Sequence, residues 1–282
     1  MKKYNNILVI GLGMMGASLC KSIKKNKISN NLMGYDINQK SASYALENKI
    51  IDIHVNDFKN MMHPDIIILC TPIGTYINLI NDLIRSVSKN TILTDIGSSK
   101  GLIHNKIYRI ILNSNIKYLS SHPMVGSEKS GIIHRKNDMY KNKIIFIIDK
   151  LKTSKATYTK VNTFWKSLGS ITHNISKNEH DILMSQTSHI SHVMAYIFMQ
   201  SLPQKVIDEN LSLLLGGGIK EHVRLSKSDP EMWADIFINN KNNINKTINK
   251  IQKNISNLKN LIDTSDKNQL KALLKKIQSK TK

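Results

Sequence analysis

The sequence predicts an α/β protein in which a doubly wound parallel sheet occupies residues 1–152 and an all-helical domain occupies residues 153–282. Three observations predict it. Up to about residue 150, short β-branched runs alternate with amphipathic stretches of helical length, the pattern of buried parallel strands in a βαβ series. A glycine-rich turn follows the first of these runs. Beyond residue 150 the strand pattern nearly vanishes, and long helical patterns begin at residues 155–168 and 177–202.

The strand patterns cover residues 6–10, 32–35, 66–70, 91–96, 117–120 and 144–148. After the first comes Gly11-Leu12-Gly13-Met14-Met15-Gly16, followed by a helical pattern over residues 17–27. That context is the one a dinucleotide-binding turn requires. Gly11 permits the tight turn, Gly13 lets the backbone approach a pyrophosphate, and Gly16 lets helix and strand pack closely. The helix N-terminus then aims unpaired N–H groups at the phosphates. Asp36 stands twenty residues beyond Gly16, at the end of the second strand pattern. An acid there bonds the adenosine ribose hydroxyls and repels a 2′-phosphate, so a Rossmann domain that takes NAD, with NADP disfavoured, is expected.

Two more strand ends should border the same crevice: Cys70-Thr71-Pro72, and Asp95 through Ser98 and Ser99 to Lys100. Ligands in such sheets lie beyond the carboxyl ends of the strands, which makes Thr71, Pro72 and Ser98 candidate cofactor-side contacts. Taken alone, Thr71 and Ser98 read more simply as turn and N-cap residues. The next strand pattern runs into Ser121-His122-Pro123, then a loop carrying Gly126, Glu128 and Gly131. A histidine at that place suits the removal of a hydroxyl proton while hydride leaves.

In the second half, Pro203 and Gly216-Gly217-Gly218 punctuate the helices. Asp181, Ser185, Ser188 and His192 are spaced to form one polar stripe, and a polar stripe usually faces water. Ile244, Ile248, Ile251, Ile255, Leu258 and Ile262 follow 4-3-4-3-4 spacing, a heptad-like seam suited to a partner helix and slightly favouring a subunit interface over an ordinary amphipathic helix.

The net charge of +21, from 41 basic and 20 acidic residues, first suggests nucleic acid or an anionic membrane. It is spread evenly, at +11 up to residue 150 and +10 after it, and only four of the basic residues are Arg. Phosphate and base recognition favours the Arg fork, so a solvated surface is the expectation, without nucleic-acid or membrane partners. Two cysteines in apolar segments, Cys20 and Cys70, fit a reducing, cytoplasmic compartment and supply neither a disulfide framework nor a metal cluster. The apolar start of the chain is broken by three glycines and lacks a signal-peptide cleavage pattern.

Together these motifs carry a resemblance. The glycine turn, Asp36, Asp95 to Lys100, and the run Ser121-His122-Pro123-Met124 with Gly126, Glu128, Ser130 and Gly131 resemble the prephenate and arogenate dehydrogenases of tyrosine biosynthesis. In the second half, His180-Asp181 with Ser188-His189 and His192 looks like that family's long-helix motif. Gly216 to Lys220, Arg224, Asp229-Pro230 and Met232-Trp233 look like its later one. The motifs run in family order from Gly11 to Trp233. Ser191 departs from a family Pro, Ser185 from Ala, Glu221 from Asp and Val223 from Thr.

The resemblance implies NAD-dependent oxidation of a cyclohexadienol bearing a C4 hydroxyl, a ring carboxylate and a pyruvyl or alanyl side chain. Loss of CO2 then aromatises the ring. His122 would be the catalytic base and Ser98 would bond it, the hydroxyl or the nicotinamide carboxamide. Arg224 would clamp a carboxylate, with Lys220 adding charge on the same helical face, while His192, Glu128 and Ser99 would complete the substrate site. A homodimer through the C-terminal helices is implied. Prephenate is the first substrate and arogenate the alternative, ahead of another β-hydroxyacid-type dehydrogenase or a non-catalytic NAD- or nucleic-acid-binding protein. The stretch after Trp233 reads as helices, so a regulatory ACT domain or a chorismate mutase domain is not expected.

Overall fold

Parallel strands set the frame. A computed structural model describes residues 4–87, 90–126, 129–204 and 217–281. Its main sheet contains β1 (Tyr4–Ile10), β2 (Ser29–Tyr35), β3 (Ile53–His54), β4 (Ile66–Leu69), β5 (Ile92–Asp95) and β6 (Lys117–Tyr118), ordered β3-β2-β1-β4-β5-β6 and parallel throughout. The strand order reverses between β1 and β4, the switch point where such sheets bind ligands. Alternate residues of each strand feed opposite faces: Ile7, Val9, Ile66 and Ile68 enter one core, and Leu8, Ile10, Ile67 and Leu69 the other.

The helices α1 (Met14–Lys25), α2 (Gln39–Glu47), α3 (Tyr76–Ile84) and α4 (Gly101–Ile111) connect the strands. Helix α1 starts at Gly13 without any side-chain cap. Gly11 has φ +95°, and a Cβ there would stand 2.7 Å from the Cys70 carbonyl carbon. A Cβ on Gly16 would meet the Gly11 carbonyl oxygen outright. Gly13, in contrast, faces open space, with nothing within 4 Å of a built Cβ.

The single-sheet expectation needs correction. The His122 segment is β7 (Ser121–Pro123), which leaves the main sheet and pairs antiparallel with β8 (Ile144–Ile148); β8 pairs in parallel with β9 (Ile171–Ile175), giving a second, three-stranded sheet. Helix α5 (Lys155–Ser167) joins β8 to β9 and buries Val161, Phe164 and Trp165 in the core of the first domain. Residues 153–175, expected in the helical half, therefore pack with the sheets, and the change of architecture falls after Ile175. Strand β9 escaped the sequence reading because its residues are only partly covered, so the run Ile-Thr-His-Asn-Ile lacks an apolar block.

Beyond β9, α6 (Lys177–Met184), a π-helical turn (Ser185–His189) and α7 (Ile190–Ser201) form one continuous rod, started by a capping box between Ser176 and Glu179. Then follow α8 (Gly217–Ser226), α9 (Pro230–Asn239), α10 (Lys241–Asp263) and α11 (Lys267–Gln278). Asp229 caps α9, with Pro230 in its first turn. Helix α9 lies against the first domain: Trp233 and Ile236 enter its core, the Gly74 N–H donates to Asp235 at 2.9 Å, and the Ile103 N–H donates to Asn239 at 2.9 Å. No helix among the described residues is long and apolar enough to cross a membrane.

Because a Cβ on Gly16 would collide with the Gly11 carbonyl oxygen, Gly16→Ala should destabilise the protein by about 1–3 kcal/mol through overpacking. A lowered urea midpoint checks this; an unchanged midpoint would show that the turn can open without cost.

Candidate active site

The carboxyl ends of β1, β2, β4 and β5 bring most of the expected cofactor residues together. Asp36 is anchored in the turn: its carboxylate accepts from the Leu12 N–H at 2.6 Å and from the Asn38 N–H at 2.8 Å. Thr71 stands over Gly11, its methyl group 2.8 Å from the Cβ position there, and its hydroxyl shares a 2.8 Å hydrogen bond with Thr75. Pro72 begins the short turn that leads into α3. The Leu12 amide is already taken by Asp36, and the Leu12 and Met14 side chains point into the core. The open face at Gly13 and the uncapped start of α1 are what a pyrophosphate fits, and Asp36 beside them suits a ribose diol.

Next to this crevice is a buried ion pair. Lys100, at the end of the loop after β5, donates from Nζ to the Asp95 carboxylate and, at 2.9 Å, to the Ser121 carbonyl; both charged side chains are almost wholly buried. Asp95 also accepts from Tyr118 at 2.8 Å and Ser120 at 2.6 Å. Burial works against the Asp95 carboxylate, but the ammonium and these hydroxyls outweigh it and hold its pKa below the usual carboxylate value. Burial pulls Lys100 down in turn, and Asp95 opposes this.

His122 sits on β7 beside that pair, 7% exposed. Its Nδ1 is 2.8 Å from Nε2 of His180, and Nδ1 of His180 is 2.9 Å from the Asp181 carboxylate. The same Asp181 oxygen accepts the Lys100 backbone N–H at 3.0 Å. Burial, followed by the fields of His180, Lys100 and His189, holds the His122 pKa well below the ordinary imidazole value, so the ring is neutral. Its Nε2 makes no hydrogen bond among the described residues. Ser98, half-buried in the loop before Lys100, is not the partner of His122; His180 holds that position. Ser99 turns away from the crevice, buried and bonded by the Asn239 amide at 2.9 Å.

The polar stripe of the long rod faces inward rather than to water: Asp181 and Ser185 are buried, and Ser188 and His192 half-buried. The π turn admits His189 to the same interior, where its Nδ1 is 3.2 Å from Asn240. His192 stacks on Trp233 with ring centroids 3.5 Å apart and bonds the Ser188 carbonyl through Nδ1 at 3.1 Å. Arg224 and Lys220 lie on α8 as expected, and the Arg224 guanidinium is held by Glu221 through bonds of 2.9 and 2.6 Å. Lys220 is exposed. Arg224 and Glu221 both act on the His192 ring electrostatically, which joins the α8 charges to the histidine line. Glu128 lies outside the described residues. Of the family departures, Ser185 and Ser191 bond carbonyls of the preceding turn, and Val223 is buried. His180 and Asp181 were visible as a motif, but nothing in their spacing announced a bond to His122.

A nucleotide-binding type of sheet joined to a helical half, with a buried histidine beside the crevice, is the class of protein this geometry defines, and the comparisons name its family. Residues 19–173 match the nucleotide-binding domain and residues 176–276 the dimerization domain of prephenate dehydrogenase, dividing where β9 ends. The chain belongs to the prephenate dehydrogenase family. It is 28% identical over 268 residues to prephenate dehydrogenase of Bacillus subtilis, covering 93% of this chain and 71% of that protein. It is 27% identical to that of Lactococcus lactis, covering 83% of this chain and 64% of that protein. Among solved structures it resembles prephenate dehydrogenase from A. aeolicus in complex with hydroxyphenyl propionate and NAD+, at TM-score 0.90 and 31% identity, covering 98% and 97% of the two chains.

Lys100→Met should cost about 3–5 kcal/mol, since it leaves Asp95 buried without its counter-charge. The sign with pH follows from the lowered Asp95 pKa: in the parent, the contribution is present above the unfolded carboxylate value and fades as pH falls through the lower folded value. Urea unfolding at pH 7 and pH 4 measures both. A midpoint unchanged by the substitution at pH 7 contradicts the assignment.

Proposed function

We propose that the protein is an NAD-dependent prephenate dehydrogenase, oxidatively decarboxylating prephenate to 4-hydroxyphenylpyruvate for tyrosine biosynthesis. The observation that carries this reading is the line Asp181–His180–His122, which ends on a ring nitrogen with no bond to the described residues, beside a crevice shaped for a dinucleotide. Family membership supports it, as do the names of the Bacillus subtilis and Lactococcus lactis relatives and the hydroxyphenyl propionate and NAD+ in the A. aeolicus complex. NAD would be held by the Gly11–Gly16 turn, Asp36, Thr71 and Pro72, and the bound nicotinamide would supply the two-electron acceptor for hydride. His122 then takes the C4 hydroxyl proton on Nε2. Its depressed pKa keeps it unprotonated at neutral pH, and its burial excludes water from the proton's path. Ser98 hydrogen-bonds the substrate hydroxyl or the nicotinamide carboxamide. Arg224 exchanges its bonds to Glu221 for a substrate carboxylate, with Lys220, His192 on its Trp233 shelf and Glu128 as further substrate residues. Loss of CO2 from the oxidised ring makes it aromatic and the step irreversible.

We further infer a homodimer through α10 and α11. The isoleucine seam is buried at Ile244 but exposed at Ile255 (53%) and Ile262 (56%), and α11 exposes Leu274 (52%) and Ile277 (50%). The matching family domain is named for dimerization. Both cysteines are free, which suits the reducing cytoplasm.

Two measurements test these readings. His122→Asn should lower kcat with prephenate and NAD by about 10²–10⁴-fold, and Arg224→Ala should mainly raise KM for prephenate; parental turnover in the first variant or parental KM in the second removes the role assigned to that residue. Ile255→Lys with Ile262→Lys should convert a dimer into a monomer in light scattering. An unchanged mass would place the interface elsewhere.

A further inference from the structure

The His122 ring has two nitrogens, and only one arrangement of its proton makes it a base for the substrate. We propose that His180 is a positioning residue that sets the tautomer of His122. It takes the Nδ1 proton of His122 as a hydrogen bond and so leaves the Nε2 lone pair for the substrate hydroxyl. The proposal rests on the reading of His122 as the base and adds what prepares it.

The direction of each bond follows from what each atom can do. The Asp181 oxygen that faces His180 also receives the Lys100 backbone N–H, which can only donate. That oxygen is therefore an acceptor, and Nδ1 of His180 carries the proton it accepts. His180 is fully buried and its pKa is lowered, with burial the largest cause. It is neutral, so with the proton on Nδ1 its Nε2 bears a lone pair. Across 2.8 Å lies Nδ1 of His122, which must then donate. His122 is also neutral, so the lone pair falls on Nε2. The bond one ring nitrogen makes decides the state of the other, and here the choice is traced through two rings to one carboxylate.

The surroundings leave little freedom. The groups that act on His122 are His180 from α6, His189 from the π turn and Lys100 from the loop after β5, and all three disfavour a second proton on it. Asp181 and Asp95 pull His180 the other way, but burial prevails. Phe146 on β8 closes the third side of His180, with ring centroids 5.8 Å apart at 80°. The ring is thus held between the Phe146 edge on one side and its two hydrogen-bond partners on the others.

Nitrogen-15 NMR of the histidine rings in the ligand-free protein tests this directly, the His122 signals being assigned by their loss in His122→Asn. In the parent, His122 should show a protonated Nδ1 and a lone pair on Nε2. His180→Leu, which offers no acceptor, should abolish that single tautomer and lower kcat by at least about 10-fold, within the roughly 10²–10⁴-fold bound set by losing the base, with KM values for prephenate and NAD changed less. His180→Gln, whose side-chain oxygen can accept the same proton, should restore part of both. A proton on Nε2 of His122 in the parent overturns the proposal even if His180→Leu fails to fold, and so does parental kcat in folded His180→Leu. Should His122→Asn retain full turnover, the base reading fails instead, and the NMR result stands apart from it.

Discussion

The ammonium of Lys100, buried against Asp95, is the interaction on which the site depends. Two charges removed from water must be matched in geometry and surrounded by further hydrogen bonds or they cost more than they return. Here each of those bonds reaches a different part of the fold. Asp95 ends β5, Tyr118 belongs to β6, Ser120 and Ser121 lead into β7, and the Lys100 backbone reaches α6 through Asp181. The pair fixes where the second sheet leaves the first and where the helical rod docks. His122 on β7 and His180 on α6 are both tied to this lysine, through the Ser121 carbonyl that its ammonium holds and through the Asp181 carboxylate that its backbone N–H reaches.

This arrangement also divides the chemistry. The hydride side is built on the parallel sheet, from a turn whose glycines are dictated by contacts under 3 Å at Gly11 and Gly16. The proton side is built on the smaller sheet and the rod. Burial pushes every histidine along this line toward neutrality: His122, His180, His189 and His192 all have lowered pKa values with desolvation as the first cause. The charged groups at the two ends are paired, Lys100 with Asp95 inside and Arg224 with Glu221 on α8. A line of neutral histidines adds no charge of its own to the site.

Much of this was legible in the sequence. The six main strand patterns, the glycine turn and Asp36 announced themselves through apolar runs, spacing and residue type, which are local signals. Strands β3 and β9 were missed because Ile53–His54 is two residues long and β9 has no buried block. The departure of β7 from the parallel sheet was missed because antiparallel pairing with β8 is decided by partners more than twenty residues away. The relay escaped for the same reason: His122 and His180 are 58 residues apart, and no period connects them. Ser99 was expected beside the substrate, and its hydroxyl accepts a hydrogen bond from Asn239 on α9, a partner 140 residues away that no local signal announces.

The π turn at Ser185–His189 inserts one extra residue into a rod that would otherwise be regular. Each residue of an α-helix turns the next by about 100°, so the insertion is a fixed rotation of everything downstream relative to everything upstream. Upstream stand His180 and Asp181, addressed to the base. Downstream stands His192, addressed to Trp233 and the α8 charges. The two ends of the rod are thus set at an angle no straight helix could give them. A deletion of one residue within the turn would leave both ends well formed and aim them at different parts of the molecule.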